Sequence, residues 1–296
     1  MQLPARISFY EACARKRIAG LVDDGSFREI LPPSERVISP HLGMFDAPVA
    51  FDDGAIIGEA TLKGHPVYIF AQEGKFRGGS LGEVHASKIV GLLLRAAQRK
   101  PAAVIGLFDS GGVRLEEANA GEIGSTEIMR AIFEAQRAGV KVLGVIGGSC
   151  GCFGGSSIIA SCCDALVASE EARLSVSGPE VIETIMGVEA FDSRDRALVW
   201  RTTGGKNRFI FGKVVRLVDD HIPDFREAVA SLIGPHQPVT ATSLREENKK
   251  LRKRIADYGK ATDAQSIWTQ MGLDAGQVPE MTSAELEAAL AKLHGK

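Results

Sequence analysis

The spacing of hydrophobic positions changes along the chain, and the change predicts two kinds of sheet. Strand-like runs at 55–62 and 67–72 are separated by Lys63-Gly64-His65-Pro66, which indicates a hairpin. Further along, Ala103–Phe108 is apolar throughout and Val140–Ile146 is apolar apart from Lys141, which is typical of strands that helices cover on both faces. The pattern therefore predicts an α/β protein with a parallel sheet covered by helices.

Segments with helical spacing surround these strands. Residues 8–31 predict an amphipathic helix followed by a turn, because Tyr10, Ala14, Ile18 and Leu21 recur at helical intervals. Further helices are predicted at Leu81–Arg99, Ser125–Ala138 and Gly155–Ser161, and further short strands at Ala165–Ala168 and Leu174–Val176.

The last part of the chain differs from the rest. After Pro235 and Pro238, residues 243–258 alternate in charge, and another helical segment begins at Ser283. We expect one domain over residues 1–234 and a helical C-terminal extension over residues 235–296. The extension is either a solvated appendage or a coiled contact with a partner.

Composition excludes several classes of protein. Of 296 residues, 45% are hydrophobic and 24% are charged, which excludes collagen, low-complexity disorder and disulfide scaffolds. A formal net charge of -2 gives no basic field for nucleic acid. The apolar runs are too short to span a bilayer, and the N-terminal residues show no secretory signal, so neither a membrane span nor secretion is expected.

Cysteine and histidine spacing argues against a metal site. The 5 cysteines include no C-x-x-C pair, which favours reduced thiols in the cytoplasm over a zinc ribbon. The 6 histidines include no H-E-x-x-H. We therefore expect no metal.

Glycine is in excess and is clustered. The chain has 33 glycines, above the usual share of about 7%. Clusters lie at 78–80, 110–113 and 147–156, and the last two follow the ends of predicted strands. Glycine there lets backbone N–H groups approach a ligand, and two such loops can direct two donors at one oxygen, as in an oxyanion hole. The alternative is a set of tight turns that allow helices to pack closely, and the composition leaves both open.

Other motifs do not fit the chain. G-x-G-x-x-G and the P-loop pattern are both absent from the sequence. The Asp109-Ser110-Gly111-Gly112 run resembles the surroundings of a serine-protease nucleophile, but it ends a parallel strand in a chain with reduced cysteines, which argues against that role. Cys150 and Cys152 are more typical of small core thiols than of nucleophiles.

Three separated motifs carry a resemblance to a known family. They are Phe76-Arg77-Gly78-Gly79-Ser80-Leu81-Gly82-Glu83-Val84-His85 with Asp53-Gly54 upstream, Asp109-Ser110-Gly111-Gly112-Val113-Arg114, and Ser177-Gly178-Pro179-Glu180-Val181. In this order they resemble the N-terminal half of acyl-CoA carboxyltransferases, from about residue 17 to residue 220. The runs at 203–209 and 150–155 are most similar to malonate decarboxylase β subunits.

The resemblance implies a fold. It is the crotonase-like (ClpP/crotonase) ββα-spiral of a carboxyltransferase N-type domain, here over residues 1–234, with the helical tail after it. The chain departs from biotin-dependent relatives, since it has no four-cysteine zinc ribbon, no second carboxyltransferase half and no Met-Lys-Met biotin signature.

The resemblance also implies an activity. A malonyl thioester on an acyl carrier protein would lose CO2 to leave an acetyl thioester. A γ subunit would supply the other face of the site, and a dephospho-CoA-derived prosthetic group would sit on the carrier protein, with no cofactor bound covalently to this chain. Two alternatives stay open: a carboxyltransferase subunit of a biotin-dependent decarboxylase or acyl-CoA carboxylase, and a non-catalytic scaffold subunit.

Carried over to this sequence, the resemblance predicts which residues act. The donors to the enolate oxygen are expected among the backbone amides of Gly112, Val113, Gly154 and Gly155, reinforced by the dipole of the helix at 155–161. The residues expected to contact substrate are Arg77, Gly78, Gly79, Gly111, Arg114 and Phe153. For the two arginines, pairing with a structural carboxylate such as Asp109 or Glu117 is the alternative. His85 is expected to pack or support the site, and water is expected to supply the quenching proton.

Overall fold

One seven-stranded sheet, with strands in sequence order, organises the chain. A computed structural model describes residues 7–35, 37–46 and 53–294. Strands one to three pair antiparallel, and every later neighbouring pair is parallel. The strands are β1 Arg28–Ile30, β2 Ala55–Leu62, β3 His65–Gln72, β4 Ala103–Phe108, β5 Val142–Ile146, β6 Ala165–Ser169 and β7 Arg216–Val218.

Helices flank the sheet and form the C-terminal part. They are α1 Ala14–Leu21, α2 Pro40–Met44, α3 Glu83–Arg99, α4 Ala120–Arg137, α5 Gly154–Ser161, α6 Pro179–Met186, α7 Arg196–Thr203, α8 Gly205–Ile210, α9 Ile222–Leu232, α10 Ala241–Tyr258, α11 Ala264–Gln270 and α12 Ser283–His294. The predicted parallel sheet covered by helices is confirmed, as is the β2–β3 hairpin.

Alternate side chains of the central strands enter two different cores. Val104 and Phe108 of β4 lie in one cluster with the apolar faces of α3, α4 and α5. Ile105 and Leu107 lie in a second cluster, on the face that α1 and α9 cover. Burying each such side chain contributes about 1.5–3 kcal/mol, so the all-apolar pattern of β4 follows from its two covered faces. Because the central strands are packed on both faces, the starting points of the loops that follow β4 and β5 are fixed.

The N-terminal helix is shorter than predicted. α1 begins at Ala14, and the segment before it is held by other bonds. The Tyr10 N–H donates to Asp220 Oδ1 at 2.8 Å. Arg17 donates to the carbonyls of Phe9 and Tyr10, at 2.7 and 3.1 Å, so these carbonyls do not serve a helix. The edge strand β1 follows where only a turn was predicted.

The predicted strand at Leu174–Val176 is reduced to a bridge. Leu174 forms a single parallel bridge with Cys152, in the loop between β5 and α5. The chain continues from there into α6, so this segment lines the loop rather than extending the sheet.

The C-terminal helices are unequal in burial. No residue of α10 is buried, whereas Trp268 of α11 and Leu286 of α12 lie in a third cluster with Ile210 and Leu217. This part of the tail is therefore packed on the body of the protein. The division into domains at residue 234 stays a prediction.

Candidate functional site

The three glycine clusters meet at the carboxyl ends of the parallel strands. The Gly111 N–H donates to the Gly78 carbonyl at 2.9 Å, which joins the first cluster to the second. The Ser110 N–H donates to the Gly151 carbonyl at 2.7 Å, and the Phe153 N–H donates to the Ser110 carbonyl at 2.9 Å. These bonds join the second cluster to the third, so the clusters form one continuous backbone surface.

Two of the glycines are required by close approach. Gly79 has φ +67°, and a Cβ there would collide with the Asp109 carbonyl. Gly154 has φ +54°, and its Cβ would lie 3.1 Å from Cα of Gly112. At Gly112 and Gly154 the backbones of the loops after β4 and β5 thus touch with no side chain between them.

In the first loop the Val113 amide is the available donor. The Gly112 N–H already donates to Ser110 Oγ, at 3.2 Å. Val113 lies opposite Leu81 in a parallel β-bridge. The residues on either side of Val113 make its two hydrogen bonds: the Leu81 N–H donates to the Gly112 carbonyl, and the Arg114 N–H donates to the Leu81 carbonyl. The Val113 N–H therefore points away from Leu81, and no acceptor for it is found in residues 7–35, 37–46 and 53–294.

In the second loop the Gly155 amide is the available donor. The Gly154 N–H donates to the Val176 carbonyl at 2.9 Å. Gly155 is the second residue of α5, where helix geometry provides no intrahelical acceptor. Within the described part of the chain no other acceptor reaches its N–H. The positive end of the α5 dipole adds to the preference of this amide for negative charge.

The two available amides belong to neighbouring residues. A Cβ on Gly155 would lie 3.4 Å from Cγ1 of Val113. Both residues are half-buried. Two amide donors on adjoining loops can bind one oxygen that carries negative charge. Their role as oxyanion donors stays a prediction, as does that of Gly112 and Gly154.

A buried carboxylate joins the two loops. Asp109 Oδ1 accepts the Cys150 N–H at 2.7 Å, and Asp109 Oδ2 accepts Arg17 Nη1 at 2.7 Å. Both charged side chains are almost fully buried. The sequence analysis does not predict Arg17 as a site residue. The feature that could have indicated it is a charged residue on the buried helical face that also carries Ala14 and Ile18.

A polar network supports the start of α5 from below. Gln72 Nε2 donates to Ser156 Oγ at 3.2 Å and lies 3.4 Å from Nε2 of His85. Nδ1 of His85 lies 3.2 Å from the Asp53 carbonyl, which can only accept, so the proton is on Nδ1. Burial and the nearby Arg114 guanidinium lower the pKa of His85 to about 3. His85 is therefore neutral and supports the loop.

The two predicted substrate-binding arginines have protein partners. Arg114 is buried, donates to Glu117 Oε1 at 2.7 Å and to the Ser80 carbonyl at 3.0 Å, and lies over the Phe76 ring. Arg77 is more exposed and pairs with Glu116 at 3.3 Å. The geometry favours the structural alternative for Arg114, and direct substrate contact by either arginine stays a prediction.

The other predicted substrate contacts lie along the loops. Gly78 and Gly111 are exposed at the join of the first two clusters, whereas Gly79 is buried there. Phe153 is buried beside the Arg173 guanidinium, 5.7 Å from ring centre to Cζ, and precedes α5. Of this set, the positions open to a ligand are Gly78 and Gly111.

Alternative chemistry has little support at this site. The Ser110 hydroxyl is buried and donates to the Gly112 carbonyl at 3.2 Å. Burial raises the pKa of the Cys150 and Cys152 thiols, which disfavours the reactive thiolate. Within residues 7–35, 37–46 and 53–294, no group of three His, Cys, Asp or Glu side chains could hold a metal ion. No helix in these ranges has the length and apolar character of a membrane span.

Exposed apolar side chains lie near Val113 in the chain and in the segment from Val176, whose carbonyl accepts the Gly154 N–H, to the end of α6, and we call this set the apolar rim. It comprises Leu115, Val176, Val181, Ile185 and Met186, each at least half exposed. Leu115 follows Val113 by two residues, and the carbonyl of Val176 accepts the Gly154 N–H. Val181, Ile185 and Met186 share one short helix, and exposed apolar side chains grouped in this way mark protein interaction sites.

Comparisons with known proteins place these features in one family. The carboxyl transferase domain model matches residues 11–201. The malonyl-S-ACP:biotin-protein carboxyltransferase MADC of Malonomonas rubra is 36% identical over 286 residues, which cover 90% of this chain and 89% of that protein. The propionyl-CoA carboxylase carboxyltransferase subunit of Haloferax mediterranei is 33% identical over 70% of this chain, but over only 39% of its own length.

Solved structures agree with the sequence relatives. A chain of a Pseudomonas malonate decarboxylase hetero-tetramer in complex with malonate has a TM-score of 0.80 and 38% identity, over 88% of this chain and 95% of its own. A chain of the Pseudomonas malonate decarboxylase MdcD-MdcE hetero-dimer has a TM-score of 0.68 and 35% identity, over 86% of this chain and 100% of its own. The predicted crotonase-like carboxyltransferase fold is confirmed. The chain belongs to the carboxyl transferase domain family.

Proposed function

We propose that this chain is the β subunit of a malonate decarboxylase, which releases CO2 from a malonyl thioester on an acyl carrier protein. The observation that carries the proposal is the pair of available amides, Val113 N–H and Gly155 N–H, on adjoining loops at the ends of β4 and β5. Likeness to malonate decarboxylase chains over nearly the whole length supports the choice of substrate.

The reaction needs a place for negative charge. The bond between the α-carbon and the carboxylate carbon breaks, CO2 leaves, and the electron pair remains on the α-carbon. The charge delocalises onto the thioester oxygen to give an enolate, and a proton then adds to the α-carbon to give the acetyl thioester. Donors that bind the enolate oxygen more strongly than the neutral carbonyl lower the barrier.

The two amides meet this need with no side-chain chemistry. A backbone donor is fixed before the reaction, so no reorganisation is needed when charge develops. Loss of one such donor typically lowers kcat by about 100- to 1,000-fold. Water is the proposed source of the final proton, since the neutral His85 lies beneath the loop with both ring nitrogens engaged.

A second subunit is part of the proposal. The apolar rim is the proposed docking surface for a γ subunit, whose own donors would face the malonyl carboxylate. Both solved malonate decarboxylase neighbours are hetero-oligomers, which supports a multi-subunit assembly. The thioester would be carried on a dephospho-CoA-derived group of the carrier subunit. The expected location is the cytoplasm, because the cysteines are free thiols and disulfides are rare there.

The test is a thioester assay on the assembled complex. The β and γ subunits are purified together and mixed with the malonyl thioester of the carrier protein, and CO2 release is measured. Release that continues with avidin present supports the proposal. The relative from Malonomonas transfers a carboxyl group to a biotin protein, so release that avidin abolishes would replace the proposal with the biotin-dependent alternative.

The scaffold alternative is tested by placing a side chain on the glycine loop after β4. Gly112→Val places a branched side chain at φ +136°, next to the Val113 amide. We expect at least about a 100-fold loss of activity, with the complex still assembled by size-exclusion chromatography. Unchanged activity in that variant would mean that the loops are not catalytic.

A further inference from the structure

The Asp109 carboxylate connects the two loops that provide the candidate donors. Asp109 directly follows β4, and its backbone leads within four residues to Val113. Its Oδ1 accepts the N–H of Cys150, which lies five residues before Gly155. The same side chain therefore reaches from the start of one loop into the other.

We propose that Asp109 is a positioning residue that sets the spacing between the Val113 and Gly155 amides. This inference rests on the proposed function, because it assigns a purpose to the spacing of those two donors. Asp109 does not touch the reacting atoms, and it acts through the Cys150 amide and through its own backbone.

The residues around the Asp109 carboxylate leave just enough room for it. A Cβ on Gly74 or on Gly148 would collide with the Asp109 carboxylate, so two glycines form the walls of its slot. Asp109 is 2% exposed, and the positive charge of Arg17, on α1, compensates the negative charge of the carboxylate. A buried carboxylate with a donor on each oxygen has one orientation, which makes it a rigid link.

An amide cannot replace this carboxylate. Oδ1 faces the N–H of Cys150 and Oδ2 faces the Arg17 guanidinium, so both oxygens must accept. In Asp109→Asn the side-chain NH2 group would face one of these donors, and that bond would be lost. The loop after β5 would keep its two backbone bonds to Ser110 but lose the link through Cys150, so its Cys150 end could shift relative to the loop after β4. A displacement of about 1 Å can lower a rate by about 100-fold.

Asp164 offers a matched control. Its Oδ2 accepts the Val142 N–H at 2.7 Å and its Oδ1 pairs with His236 Nδ1 at 2.6 Å, so it too is a largely buried carboxylate with a donor on each oxygen. Val142 begins β5, so Asp164 lies at the end of the sheet opposite the glycine loops. Asp164→Asn should lower stability without moving the two amides.

The kinetic experiment compares both variants in the assembled β–γ complex, with the malonyl thioester of the carrier protein as substrate. For Asp109→Asn we expect kcat to fall by about 10- to 100-fold while KM changes by less than about threefold, because only the developing charge senses the donor spacing. For Asp164→Asn we expect kcat within about twofold of the wild type. An equal loss of kcat in both variants, or none in Asp109→Asn, would overturn the proposal.

Hydrogen exchange gives a readout that does not depend on the reaction. In Asp109→Asn, amides of 110–114 and 149–156 should exchange at least about tenfold faster than in the wild type, whereas Asp164→Asn should leave both segments unchanged. Unchanged exchange in Asp109→Asn would sink the proposal even if activity fell. If the exchange pattern is as expected but the wild type releases no CO2, the proposed function fails and the link between the loops stands.

Discussion

Gly112 and Gly154 face each other so closely that a methyl group on Gly154 would lie 3.1 Å from Cα of Gly112. They belong to different loops, after β4 and β5, and neither has a side chain that could separate the backbones. The contact brings the amide-bearing edges of the two loops to one place. The spacing of the two loops is therefore set by glycine here and by the Asp109 carboxylate further back.

We predict that Gly154→Ala lowers kcat by at least about tenfold in the assembled complex. The new methyl group would push against Gly112 and would be strained at φ +54°. Gly139→Ala is the control, because Gly139 has φ +90° but nothing within 4 Å of its Cβ position. Both variants should lose stability by about 1 kcal/mol from the left-handed backbone. Equal kcat values for the two variants would contradict a role for the loop contact.

His85 predicts a specific dependence of stability on pH. Its pKa is lowered from 6.5 to about 3 in the folded protein, chiefly by burial. Below pH 6.5 the unfolded chain binds a proton that the folded chain does not, so stability is lost as the pH falls towards 3. The loss approaches about 1.4 kcal/mol for each pH unit. Urea unfolding at about pH 7.5 and about pH 5 should therefore show roughly 2 kcal/mol lost through this residue.

The matched variants isolate this contribution. His85→Gln can still donate to the Asp53 carbonyl and accept from Gln72, but it has no group that titrates in this range. It should show a flatter dependence of unfolding free energy on pH than the wild type. His65→Gln, at an exposed position of β3, should keep the wild-type dependence. The same slope in all three proteins would show that His85 is not buried in its neutral form.

The sequence predicts the strands of this protein more sharply than it predicts which backbone amides are candidate donors. The bounds of β4 are predicted to the residue, because the apolar run lies between Lys100-Pro101 and Asp109-Ser110-Gly111-Gly112. The clusters at 78–80, 110–113 and 147–156 were predicted as candidate loops for the same local reason. β1 was missed, since three residues cannot show a period.

The choice of amide within each loop depends on distant residues. Gly154 is excluded as a free donor by the Val176 carbonyl, and Gly112 by the Ser110 hydroxyl. The Asp109 link depends on Arg17, which lies 92 residues earlier. No local pattern encodes such pairings, so the sequence narrows the candidate donors to four amides, and the hydrogen bonds of the structure leave two of them without an acceptor in the described residues.

Trp268 tests whether the tail stabilises the body of the protein. It is 2% exposed, and its Nε1–H donates to Asn207 Oδ1 at 3.0 Å, in the cluster shared with Ile210 and Leu217. Trp268→Ala should lower the free energy of unfolding by about 3–5 kcal/mol in urea titrations. Limited proteolysis should then cut residues 235–296 faster. If the extension folds as a separate domain, unfolding of residues 1–234 would instead be unchanged.

The apolar rim predicts where the second subunit binds. Ile185 is 76% exposed on α6, the helix that follows Val176 in the chain, so a charge there would be buried by a subunit that docks on the rim. Ile185→Glu should weaken binding of the γ subunit by at least about tenfold in titration calorimetry, because an unpaired carboxylate would lose its water. Ile255→Glu is the control, since Ile255 is 72% exposed on the outer helix α10. The melting temperature of both isolated variants should match that of the wild type, since neither side chain is packed. If Ile255→Glu weakens binding and Ile185→Glu does not, the γ subunit binds the C-terminal helices and not the rim of the glycine loops.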